Sequence, residues 1–156
     1  MVENFFEKMK LRSHTHHKPV IYYKYERKET EESKMEALKI LVVDDESRMR
    51  KLVKDFLAKK NFQVLEAGDG EEAMDIFYKE KDIALLILDV MMPRMDGWEV
   101  CREIRKNSKV PIIMLTARSD ERDELLGFEL GVDEYISKPF SPKILVARVE
   151  AILRRT

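Results

Sequence analysis

Between residues 38 and 153, five short apolar runs alternate with five stretches whose apolar residues recur every three or four positions. The runs are 38–43, 62–65, 83–88, 112–115 and 135–136. They are short, nearly continuous and bounded by polar residues, which suits strands buried on both faces. Helical spacing joins Met49, Leu52, Val53, Phe56 and Leu57, then Ala73, Met74, Ile76 and Phe77, then Trp98 to Ile104. It returns in Leu125, Leu126, Phe128 and Leu130, where Gly131 ends the helix, and in Ile144, Leu145, Val149 and Leu153, expected on one side of a closing helix. Strands alternating with helices predict an α/β fold, a five-stranded parallel sheet with helices on both faces.

Residues 37–156 are expected to form this domain, with residues 1–36 as an N-terminal extension. All three histidines (His14, His16, His17) lie in the extension, and residues 27–36 are dominated by Lys, Arg and Glu, as in a solvated linker. Residues 20–25 have β-propensity and could form a strand against an available edge. The histidines could hold a transition metal, although without carboxylates they read more simply as a surface cluster.

Charge narrows the function classes. With 29 basic and 30 acidic side chains, net charge −1, the chain lacks the basic excess of a generic phosphate-backbone binder. The lone Cys101 excludes an internal disulfide framework and a cysteine-based zinc site. No apolar run approaches the roughly 20 residues that span a bilayer. Glu3, Glu7, Lys8 and Lys10 break up any signal peptide. A cytoplasmic protein without membrane contact is expected.

In an open parallel sheet, ligands bind beyond the carboxyl ends of the strands, and right-handed crossovers bring those ends to one edge. Asp44 and Asp45 follow the first run, Asp89 the third, Thr116 and Ala117 the fourth, and Lys138 the fifth. Clustered carboxylates repel unless a cation compensates. An all-oxygen set with few protein ligands fits magnesium better than calcium. A metal, an ammonium and a hydroxyl beside a carboxylate nucleophile are the electrostatic kit for phosphoryl transfer. Each residue also has a plain structural role: Asp44 or Glu46-Ser47 could cap the first helix, and Thr116 could be a turn residue. Their coincidence at successive strand ends favours the pocket.

The stretches Ile40-Leu41-Val42-Val43-Asp44-Asp45-Glu46, Asp89-Val90-Met91-Met92-Pro93-Arg94-Met95-Asp96-Gly97, Leu115-Thr116-Ala117 and Lys138-Pro139-Phe140 resemble the receiver domain of bacterial two-component response regulators. The resemblance implies a flavodoxin-like sheet of order 2-1-3-4-5. It implies Asp89 as phosphoacceptor from a sensor histidine kinase. Asp45, Asp89 and the Met91 main-chain carbonyl would hold Mg2+, with Asp44 acting mostly through water. Thr116, Ala117 and Lys138 would serve the phosphoryl group, and Tyr135 would be the switch aromatic. The Lys138-Pro139 bond would be cis, which costs only about 0.5–1 kcal/mol at X-Pro. Asp96-Gly97 reads as a turn and Trp98 as helix-packing core. The exposed face of the first helix, with Arg48, Met49, Lys51 and Leu52, would choose the kinase.

The closing stretch from Lys138 to Arg155 is similar to the winged-helix transcriptional branch, in which a linker and a DNA-binding domain follow. The alternative is a stand-alone receiver acting through protein contacts. The branch implies a homodimer on activation, through a surface that here holds Leu125, Phe128, Asp133, Glu134, Ala147, Arg148 and Arg155. Glu134 with Arg148 and Asp133 with Arg155 match two interchain pairs, whereas Glu124 and Ile144 stand where the branch has a third. Because Met35 stands where the family usually starts, residues 1–34 are either a start-codon artefact or a native extension. A hydrolase with an aspartyl nucleophile would need a second acid two residues on, and Met91 stands there. A degenerate receiver would lack pocket residues, and none is missing.

Overall fold

The computed structural model describes residues 38–117 and 121–155. The expected 1–36 extension, with His14, His16, His17 and the 20–25 strand, lies outside them, as does the Glu124 side chain. Among the described residues ten elements alternate: β1 Lys39–Val43, α1 Ser47–Ala58, β2 Gln63–Ala67, α2 Gly70–Lys79, β3 Ile83–Asp89, α3 Gly97–Arg105, β4 Ile112–Thr116, α4 Glu121–Leu130, β5 Glu134–Ser137 and α5 Pro142–Arg155. The five strands form one parallel sheet of order β2-β1-β3-β4-β5, as the sequence predicts.

Side chains of the central strands alternate between two cores. Ile40, Val42, Leu85, Ile87, Ile113 and Leu115 pack with Val53 and Leu57 of α1 and with Leu145, Val149 and Leu153 of α5. Leu41, Val43, Leu86, Leu88, Ile112 and Met114 pack with Ala73 of α2 and Trp98, Val100, Cys101 and Ile104 of α3. Fully burying each such aliphatic side chain is worth about 1.5–3 kcal/mol, so both faces stabilise the sheet. Buried and inert, Cys101 has its thiol pushed up by burial.

One position read as inward lies elsewhere. Ile144 is exposed, because the buried stripe of α5 runs through Leu145, Val146, Val149, Ile152 and Leu153 and leaves Ile144 at its edge. On α4, Leu126 and Leu130 reach the core while Leu125 and Phe128 point to solvent. Gly131, at φ 73°, ends α4 as expected, with Val132 N–H donating to the Gly127 carbonyl at 2.9 Å.

Candidate functional site

Strand register sets the pocket. Val43 lies opposite Leu88, so Asp44, one residue on, is level with Asp89. Asp89 lies opposite Leu115, and Thr116 opposite Ser137, so Thr116 and Lys138 each sit one step further out. Carboxylate oxygens of Asp44, Asp45 and Asp89 come within 4.8 Å of one another. Asp44 and Asp89 are buried and Asp45 is exposed. Lys138 Nζ bridges the buried pair, 3.1 Å from Asp44 Oδ2 and 3.4 Å from Asp89 Oδ1. Its backbone N–H donates to the Thr116 carbonyl at 2.6 Å, and the following Lys138-Pro139 bond is cis, as expected.

The electrostatics are unbalanced. Burial, then the neighbouring Asp44 carboxylate, push the Asp89 carboxyl up to about 6, against the opposing pull of Lys138 and a Met91 backbone hydrogen bond. Burial pulls the Lys138 ammonium down, but its bonds to Asp44 and Asp89 outweigh that and hold it above its ordinary value. Three carboxylates facing one ammonium leave two negative charges when all are ionised, which one divalent cation would balance. An oxygen-only set of this kind suits a hard cation.

The loop beyond Asp89 is held by main-chain contacts. Gly97 N–H donates to the Val90 carbonyl at 2.9 Å, and a Cβ on Gly97 would collide with the Asp89 carbonyl oxygen, so only glycine permits this approach. The Met91 side chain is exposed. Asp96 does more than turn the chain: it caps α3 in a reciprocal box with Glu99, at 2.9 and 3.1 Å. Glu46 occupies the N-cap of α1 without a side-chain bond, and Asp44 Oδ1 accepts from its N–H at 2.9 Å. Asp44 thus serves both the helix start and the pocket.

Thr116 is fully buried at the end of β4 and Ala117 is exposed just beyond. Tyr135, half-buried on β5, pairs in register with Met114 and stacks on Trp98 with ring centroids 6.2 Å apart and planes 16° apart. Trp98 is core, as expected, but core against Tyr135, which no spacing in the sequence indicates.

On the α4–β5–α5 side, Leu125, Ala147 and Phe128 are exposed, Phe128 by 80%. Arg148 pairs with Glu134 of the same chain at 3.1 Å. Asp133 accepts from Ile112 N–H at 2.8 Å and lies 3.7 Å from Arg105. Arg155 is exposed and lines a groove with Glu134 and Arg148. Arg105 also donates to the carbonyls of Leu130, Val110 and Gly131 at 3.1, 2.8 and 2.9 Å, clamping the end of α4 to α3 and to the segment that leads into β4. Its long-range partners leave no mark in the local sequence.

Residues 40–150 match the family model of the response regulator receiver domain. The chain belongs to that family. This receiver is 53% identical over 118 residues to a probable transcriptional regulator ycf27 of Guillardia theta, covering 76% of the chain and 46% of that protein. It is 48% identical over 117 residues to the transcriptional regulatory protein SrrA of Staphylococcus aureus, covering 75% and 48%. The chain therefore spans about half the length of the curated relatives it matches. A solved structure of a BeF3-activated DrrB receiver domain superposes with a TM-score of 0.68 at 39% identity, over 76% of this chain and 98% of that one. Among the described residues, no helix of the receiver is long and apolar enough to cross a membrane.

Proposed function

We propose that Asp89 accepts a phosphoryl group from the phosphohistidine of a sensor histidine kinase, as a signalling switch rather than an enzyme with turnover. The observation that carries this reading is the buried Asp89 carboxylate, flanked by two others and touched by the Lys138 ammonium. In the transfer, an Asp89 oxygen bonds to phosphorus as the phosphorus–nitrogen bond breaks and the imidazole leaves. Lys138 and the Thr116 hydroxyl, with Ala117 beside it, meet the phosphoryl oxygens. Asp45, Asp89 and the Met91 carbonyl would hold Mg2+, with Asp44 acting mostly through water. Bound there, the cation would neutralise phosphoryl and carboxylate oxygens. Met91 supplies no acid or base at the position where a hydrolase needs one, so the phosphoryl group is kept and lost only slowly.

Occupation of Asp89 would draw Thr116 toward the phosphoryl group and Tyr135 inward, shifting the population of a pre-existing state. Output would be transcriptional, through a C-terminal DNA-binding domain, because the half-covered relatives are named as transcriptional regulators. The activated receiver would form a homodimer through Leu125, Phe128 and Ala147, with Asp133, Glu134, Arg148 and Arg155 setting register. Association energy would come mainly from the apolar patch. The surroundings are cytoplasmic. A boundary near residue 36 is supported by the change from the Lys-, Arg- and Glu-rich stretch 27–36 to the first apolar run.

Acetyl phosphate with Mg2+ tests the reading. Wild type is expected to gain one phosphoryl group by intact mass and Asp89→Asn none. Equal uptake by the two would overturn it.

A further inference from the structure

We propose that Trp98 is the positioning residue that links the phosphoacceptor loop to Tyr135, so that the state of Asp89 reaches the α4–β5 face through the indole. The proposal rests on the receiver reading of Asp89. Trp98 is the chain's only tryptophan and is almost entirely buried. It follows Gly97 directly, and Gly97 is bonded to the Val90 carbonyl and packed against the Asp89 carbonyl. The first turn of α3 therefore moves with the Asp89 backbone. On its other side the indole lies nearly parallel to Tyr135, three residues before Lys138. Residues 97 and 98 thus meet both ends of the proposed switch, the Asp89 loop through the Gly97 backbone and Tyr135 through the indole.

The surroundings leave room for these rings to rearrange. Trp98 lines a groove of about 490 Å³ with Val90, Met91 and Leu126, while Tyr135 lines a second, of about 320 Å³, with Gly127, Phe128 and Val132. Each groove is thus lined by one ring of the stacked pair. Gly127, in the middle of α4, faces both rings: a Cβ there would lie 3.7 Å from Trp98 Cη2 and 3.7 Å from Tyr135 Cδ2, an ordinary contact. Alanine would therefore fit this state and favour the helix, so this arrangement does not explain the glycine. A second arrangement, in which a ring takes up that space, does. Packed interiors switch between discrete arrangements rather than deforming smoothly, and a coupling claim requires such a two-state element.

The test uses the full chain labelled with fluorotyrosine, the Tyr135 resonance being assigned with Tyr135→Phe. Beryllofluoride with Mg2+ is expected to move both the Tyr135 resonance and the Trp98 emission of wild type. Trp98→Leu is expected to take phosphate from acetyl phosphate as wild type does, with the Tyr135 displacement reduced about fivefold or more. Trp98→Phe should restore most of it, and Gly127→Ala should damp it without reducing phosphate uptake. A full Tyr135 displacement in Trp98→Leu would overturn the proposal. If that variant does not fold, unchanged Trp98 emission in beryllofluoride-loaded wild type would do the same. Failure of wild type to take phosphate, or uptake by Asp89→Asn, would instead remove the receiver reading, and this proposal with it.

Discussion

Replacing Asp89 by asparagine should stabilise the metal-free protein, although it removes a partner of Lys138. Burial and Asp44 raise the Asp89 carboxyl from its ordinary 3.8 to about 6. At 1.36 kcal/mol per unit, ionised Asp89 costs the folded state on the order of 3 kcal/mol. The group is only 4% exposed, so solvent screens little of this. The sign follows from proton linkage: between about pH 4 and 6 the folded state binds more protons, so wild-type stability falls as pH rises through that window. A neutral asparagine amide carries no such cost, and Lys138 keeps Asp44 at 3.1 Å. Urea unfolding followed by circular dichroism, with chelator present, should show Asp89→Asn more stable at pH 7.5 by on the order of 2–3 kcal/mol. The difference should shrink toward zero near pH 4. A less stable variant at pH 7.5, or the same difference at both pH values, would refute the electrostatic reasoning.

Three further outcomes are expected. Asp45→Ala should lose most magnesium-dependent stabilisation in thermal melts, whereas retention of the wild-type shift would remove Asp45 from the metal site. Phe128→Asp should leave the beryllofluoride complex monomeric in sedimentation, since it charges an exposed position of the apolar patch; a dimer indifferent to the change would reject that interface. Arg105→Met should lower the unfolding free energy by about 1–3 kcal/mol, because the carbonyls of Leu130, Val110 and Gly131 lose a donor. An unchanged denaturation midpoint would show that water replaces the guanidinium without cost.

The strands and the pocket are legible in the sequence because each depends on local pattern plus one topological rule. Runs such as 83–88 are apolar throughout and stop just before the residue that faces the pocket, Asp89, and parallel crossovers carry such ends to one edge. The features that are not legible depend on contacts between distant residues. The Trp98–Tyr135 stack joins α3 to β5 and the Arg105 clamp joins α3 to α4 and to the segment that leads into β4, and neither has a local signature. Ile144 reads as inward because its spacing to Leu145 and Val149 fits either edge of the stripe, and only the direction of α5 against the sheet decides. The Asp96 cap does have a signal: Asp96 followed three residues later by Glu99 is a capping-box pattern, which the turn propensity of the adjacent Gly97 masks.

The central claim is that Asp89, among three adjacent carboxylates, takes the phosphoryl group. Borohydride reduces an aspartyl phosphate to homoserine while leaving free carboxylates intact, so it marks the residue that carried the group. Treating the acetyl phosphate-loaded, Mg2+-containing chain this way and sequencing the peptides by mass spectrometry should find homoserine at position 89 alone, with Asp44 and Asp45 unaltered. Homoserine at position 44 or 45, or none at 89 in a chain whose intact mass shows phosphorylation, would contradict the account.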